Sequence, residues 1–179
     1  MKSERPFRVR LIHYLFWTLG VLLLFCIEPT YILLKEKWII ESAVRNAKSI
    51  QVIHYNPYFH PGEPEMIYDT KELKPQEFDQ VSGAFPVCLD IGFPGIETSC
   101  LFSPHHRIVM KDKEGHETVI RVCFICDHFA IGDSEGEIFA TPFAWRPALR
   151  HFFEKEGQPF RPDRYMEDRQ QYWKTHPLP

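Results

Sequence analysis

Cys100 to Phe129 reads CLFSPHHRIVMKDKEGHETVIRVCFICDHF, and this stretch decides the fold. Two runs rich in β-branched and aromatic residues, Cys100 to Lys111 and Thr118 to Phe129, flank Lys113-Glu114-Gly115-His116. Such side chains suit a pleated, half-buried surface. A polar, Gly-bearing stretch between two such runs predicts a turn. The runs are therefore expected to pair as an antiparallel hairpin. Centring the turn on Glu114-Gly115 sets His106 opposite Cys123 and Ser103 opposite Cys126.

Working outward, Glu36 to Ser49 carries Trp38, Ile39, Ile40, Ala43, Val44 and Ala47 at helical spacing. Ile50 to Tyr55 reads as a strand ended by Asn56-Pro57, and Met66 to Tyr68 as a short one. Pro57, Pro61, Gly62 and Pro64 make the intervening stretch a loop. Pro75 suits the first turn of a short helix ending near Gly83. Phe85 to Ile91 and Ile138 to Ala140 are further strands. Pro147 opens a helix with Leu149, Phe152 and Phe153, stopped by Gly157. The segregation of strands and helices predicts an α+β body over 35–160: an antiparallel meander packed by helices on one face. Val119, Val122, Phe124, Ile125, Phe152 and Phe153 are its expected core.

The N-terminus carries Lys2, Arg5, Arg8 and Arg10, and residues 1–10 form a basic tail. Leu11 to Ile27 is an uncharged apolar run broken only by His13, Tyr14, Thr18 and Gly20. At about 1.5 Å per residue it spans roughly 25 Å. Residues 11–34, with Tyr31 and Trp38 near the interface, are expected to form a transmembrane signal-anchor helix whose partner is the lipid bilayer. No small-x-small site follows the run, which argues against a cleaved signal peptide. The basic cluster before the run places the body in the periplasm or outside the cell.

The first 34 residues hold four basic and two acidic groups, leaving 17 Lys and Arg against 22 Asp and Glu downstream. An acidic body without a basic stripe is a poor nucleic-acid binder, because phosphate neutralisation dominates that affinity.

Chemistry is concentrated in Cys88, Cys100, His105, His106, Cys123, Cys126 and His128. Three explanations are open. In an oxidising compartment, Cys88, Cys100, Cys123 and Cys126 form an even set for disulfides. Cys100 with Cys126 is the first pairing, needing only a small bulge. A second explanation is zinc held by Cys100, His106, Cys123 and Cys126, since thiolate and imidazole bind that ion tetrahedrally. Against it, Cys123 and Cys126 in a regular strand point to opposite faces. The third is a redox Cys-x-x-Cys, but such pairs open a helix, and here the chain is expected to continue as a strand. No nucleophile elbow accompanies Ser103, His106 and Asp127, and Asp133, Glu135 and Glu137 lack calcium-loop spacing. His54, Asn56, Tyr58 and His60 mark a polar loop whose default is surface.

Phe102-Ser103-Pro104-His105-His106-Arg107-Ile108 and Val122-Cys123-Phe124-Ile125-Cys126 resemble the hairpin signature of a family of uncharacterised bacterial proteins from planctomycete-like genomes. The resemblance covers about a third of the chain, and the strand and helix from Ile138 to Gly157 extend it. The family places Cys directly before the motif's Phe, where this chain has Leu101, with Cys100 one position earlier. The resemblance implies a small extracytoplasmic or membrane-tethered domain and implies no activity.

The tail, 161–179, has helical spacing that gathers Tyr165, Met166, Tyr172 and Trp173 on one side. Docking on the parent domain is its expected role, with a partner-binding helix as the alternative. Together these features predict a non-enzymatic, membrane-anchored envelope protein with a structural or interaction role. The alternative is a zinc-binding or thiol-redox protein built on the Cys/His hairpin.

Overall fold

From His106 onward, buried and half-exposed residues alternate: His106, Ile108 and Met110 are buried, while Arg107 and Val109 are half-buried and Lys111 is exposed. That period of two makes a strand with one face on a core. The computed structural model describes residues 7–56, 65–87, 103–132 and 138–175, with the side chains of 7–12, 22–33, 169, 172, 173 and 175 left out. In chain order the elements are α1 (Phe7–Asn46), β1 (Ala47–Asn56), β2 (Met66–Glu72), a 3-10 turn (Pro75–Glu77) leading into α2 (Phe78–Gly83), β3 (His106–Asp112), β4 (Glu117–Cys123), β5 (His128–Ile131), β6 (Ile138–Ala140), α3 (Trp145–Lys155) and α4 (Pro162–Thr175). The strands form one six-stranded sheet in the order β2-β1-β3-β4-β5-β6, antiparallel throughout.

Ile50 and Val52 of β1, Ile108 and Met110 of β3, Ile120 and Val122 of β4 and Phe129 of β5 make the sheet's side of the core. Ile40 and Val44 of α1, Val81 of α2, and Trp145, Leu149, Phe152 and Phe153 of α3 cover it. The Trp145 indole stands edge-on to Phe85 at 5.0 Å and donates to the Pro86 carbonyl at 2.8 Å, fixing the start of α3. Val119 is only half-buried because it alternates with Ile120, and Ile125 is 51% exposed on a turn. Those two expected core residues are corrected.

The β3–β4 turn has an odd loop. Gly115 N–H donates to the Asp112 carbonyl at 3.3 Å, and Asp112 N–H to the His116 carbonyl at 3.0 Å. Three residues, Lys113 to Gly115, are thus enclosed, and Gly115 takes φ +93°, which glycine adopts without penalty. The register centres on Glu114, so His106 pairs with Val122 and not with Cys123. The expected strand from Thr118 to Phe129 is also broken: Phe124 to Asp127 form a turn, and Cys123 pairs with His128 across it. Phe85 to Val87 lie outside any strand, and the rest of the stretch to Ile91 lies outside the described residues.

Among the described residues, no helix is long and apolar enough to cross a membrane. The transmembrane assignment of 11–34 is therefore corrected, and with it the single-pass topology and the extracytoplasmic placement read from it. The apolar run is 17 residues long, short of the about 20 that a hydrocarbon core of about 30 Å demands. Tyr14 to Val21 belong instead to one continuous helix, α1, that runs on through Pro29 and the charged Lys35-Glu36-Lys37 into the domain.

Candidate functional site

The Cys123-x-x-Cys126 pair sits on the β4–β5 turn. Asp127 closes that turn at φ +52°, the left-handed region that L residues rarely enter. Two bonds hold it there: the Asp127 carbonyl accepts the Thr141 N–H at 2.7 Å, and the carboxylate pairs with Arg146 of α3 at 3.0 Å. The turn folds both cysteines inward, and both are buried. They do not occupy opposite faces of a strand.

The Cys126 thiol hydrogen-bonds the Cys123 sulfur, which also accepts backbone N–H groups from Cys126, Ser103 and Ile125. Led by the Cys126 bond, and against the opposing effect of burial, these donors bring the Cys123 thiol down from 9.0 to about 6. These donors favour the thiolate, which is the form that ligates metals and attacks disulfides. His128 donates from Nδ1 to the Cys126 carbonyl, fixing its tautomer beside the turn.

Cys123 and Cys126 are not joined in a disulfide, and no two cysteines among the described residues stand as one, which corrects that expectation. Cys88 and Cys100, including the expected Cys100–Cys126 bridge, lie outside the described residues. His106 is not brought to the two thiols. The Asp112, Glu114 and His116 donors are the group of three among the described residues that lie within 4.8 Å of one another. They line an exposed turn in which Asp112 accepts from His116 N–H at 2.8 Å and from its Nδ1 at 3.0 Å.

His106 belongs instead to a buried polar nest that sequence reading did not assemble. His54 of β1 pairs with His106 of β3 across the sheet, and their rings stack at 4.6 Å with planes 4° apart. A bulge between His54 and Tyr55 leaves Tyr68 of β2 without a direct partner, and such bulges re-aim a side chain. Tyr68 donates to Asp168 of α4 and accepts from the Asn56 amide at 3.2 Å. The Tyr165 hydroxyl and His54 Nε2 share a hydrogen bond at 2.5 Å, and the Tyr165 ring lies 3.9 Å from that of His105. His106 Nε2 donates to the Gln158 carbonyl at 2.9 Å, while Nδ1 of His105 and of His106 find no partner among the described residues.

Burial, followed by the Arg164 charge, pushes His54 down to about 4. Burial and the neighbouring His54 take His105 to about 4 and His106 to about 3. Burial raises the Tyr68 and Tyr165 phenols, with Asp168 adding to the rise at Tyr68. The nest is therefore neutral in its imidazoles at physiological pH. It docks α4: Tyr165 is buried, whereas Met166 is 52% exposed, so those two tail residues do not share a face on the domain. The side chains of Tyr172 and Trp173 lie outside the described residues. The available signal was the alternation Ile50, Val52, His54, which put an imidazole on the core face of β1.

No family model, curated protein or solved structure matches the chain.

Proposed function

We propose that the protein binds a soft divalent metal ion, zinc foremost, through Cys123 and Cys126. The observation that carries this reading is the convergence of one thiol and three backbone N–H groups on the Cys123 sulfur. Donors to a sulfur stabilise the thiolate that zinc requires, and a tight turn presents two sulfurs to one ion. In a tetrahedral site with Zn–S of about 2.3 Å, two thiolates lie about 3.8 Å apart. Two thiols sharing a proton need only small adjustment to reach that spacing. Burial of both cysteines suits a structural ion that pins the β4–β5 turn to α3, in keeping with the non-enzymatic role expected from sequence. His106 is committed to Gln158 and is not used. Cys100 keeps its place in the ligand set by residue type alone.

The test is metal analysis of the full chain purified without chelator. About one zinc per chain is expected, falling below a tenth of that in Cys123→Ser and Cys126→Ser. Cobalt should substitute with a sulfur-to-metal charge-transfer band that both substitutions abolish. Metal-free protein that binds no added zinc would overturn the reading. A Cys123–Cys126 disulfide in such protein would point to thiol–disulfide exchange instead.

A further inference from the structure

We propose that the groove between the second half of α1 and the β3–β4 turn binds a small organic ammonium ion. The groove encloses about 230 Å³, below the roughly 300 Å³ at which drug-sized sites begin, so its ligand is small. Trp38 forms one wall, and 63% of its surface faces solvent although it stands on α1 beside the core residue Ile40. Met110 and Ile39 supply apolar surface, while Thr118 and Asp112 supply polar atoms. A lone exposed tryptophan needs no explanation. A tryptophan and a carboxylate lining one concavity together select for positive charge, because the indole face is the negative end of its quadrupole.

The charge of the groove points the same way. Burial acts against it, but the hydrogen bonds from His116 hold the Asp112 carboxyl below its ordinary value, so it is an anion at neutral pH. A carboxylate offers about four lone-pair sites; His116 takes two of them and the Gly115 N–H a third, which leaves one for a ligand. The Glu114 carboxylate stands in the same donor group. No Lys or Arg lines the groove among the described residues. An alkylammonium head would set its N-methyl or methylene groups on the indole and its charge toward Asp112. This site is separate from the thiol turn, and neither depends on the other.

Choline is a suitable probe, with its uncharged carbon isostere as the control. Titrated into the full chain, choline should shift the Trp38 indole N–H resonance saturably, with millimolar affinity. The isostere should bind at least about 10-fold more weakly, since only charge distinguishes the two. Trp38→Leu should weaken choline binding about 2- to 30-fold, the range of a cation–π contact. Asp112→Asn keeps an acceptor for the turn and should weaken it about 10-fold. Equal binding of the isostere, or shifts that ignore Trp38, would overturn the proposal. So would saturable binding of calcium or manganese at Asp112 by a chain that does not respond to choline.

Discussion

Lowering the pH from about 7.5 to about 5.5 should remove about 4 kcal/mol of folding stability through three side chains. His54, His105 and His106 are 4%, 4% and 0% exposed. Burial, with lesser repulsion from neighbouring positive charge, holds their imidazoles at about 4, about 4 and about 3, against 6.5 for an ordinary histidine. The folded chain refuses protons that the unfolded chain accepts. The stabilisation is therefore complete above 6.5 and is lost as pH falls below it. The loss stops growing only once the folded values are passed. Each histidine contributes about 1.4 kcal/mol per pH unit in that window, so three contribute about 4 kcal/mol one unit below 6.5. That is a large fraction of the roughly 5–15 kcal/mol that holds a domain folded. The Cys123 thiolate acts in the same direction between 9.0 and about 6, so Cys123→Ser is the reference chain. Urea unfolding by tryptophan fluorescence at several pH values and constant ionic strength reads the slope. Stability constant within about 1 kcal/mol over this range would refute the reasoning. So would a slope left intact when His54 and His106 are both replaced by Gln.

Phe153→Ala should cost about 3–5 kcal/mol in the same assay, because Phe153 is fully buried with rings at 4.5 Å (His106) and 5.8 Å (Phe124); wild-type stability would mean α3 is misplaced. Tyr165→Phe keeps the ring but strips His54 Nε2 of its hydrogen-bond partner, and should cost about 1–3 kcal/mol. Amide exchange should show that loss concentrated in α4, where Tyr165 is the buried side chain among those described; uniform exchange across the sheet would count against the docking role.

The sheet was legible where period-two patterning met turn chemistry. Ile108 and Met110, then Ile120 and Val122, announce a hairpin whichever way its loop is counted. The register was not legible to one residue, because Lys113 to His116 admits loops of two or three residues. The choice rests on whether Gly115 takes the left-handed position inside the loop. One residue of slip is enough to move His106 from Cys123 to Val122. The polar nest escaped because its members come from β1, β2, β3 and α4, and only the folded sheet sets His54 against His106.

The thiol turn was misread for a reason specific to its residues. Val122, Phe124, Ile125 and Phe129 all favour strand, and Asp127 is the one turn-favouring residue in Phe124-Ile125-Cys126-Asp127, which has no Gly or Pro. Propensity therefore argued for an extended run, and an extended Cys-x-x-Cys cannot serve one ion. The turn forms because its ends are bound elsewhere. His128 pairs with Cys123, Thr141 N–H reaches the Asp127 carbonyl, and Arg146 holds the Asp127 carboxylate. Long-range partners thus stabilise a left-handed aspartate that local preference disfavours, and the same fold directs three N–H groups at one sulfur. A strained residue held next to a stabilised thiolate is the combination expected where tertiary structure, and not local sequence, builds a site.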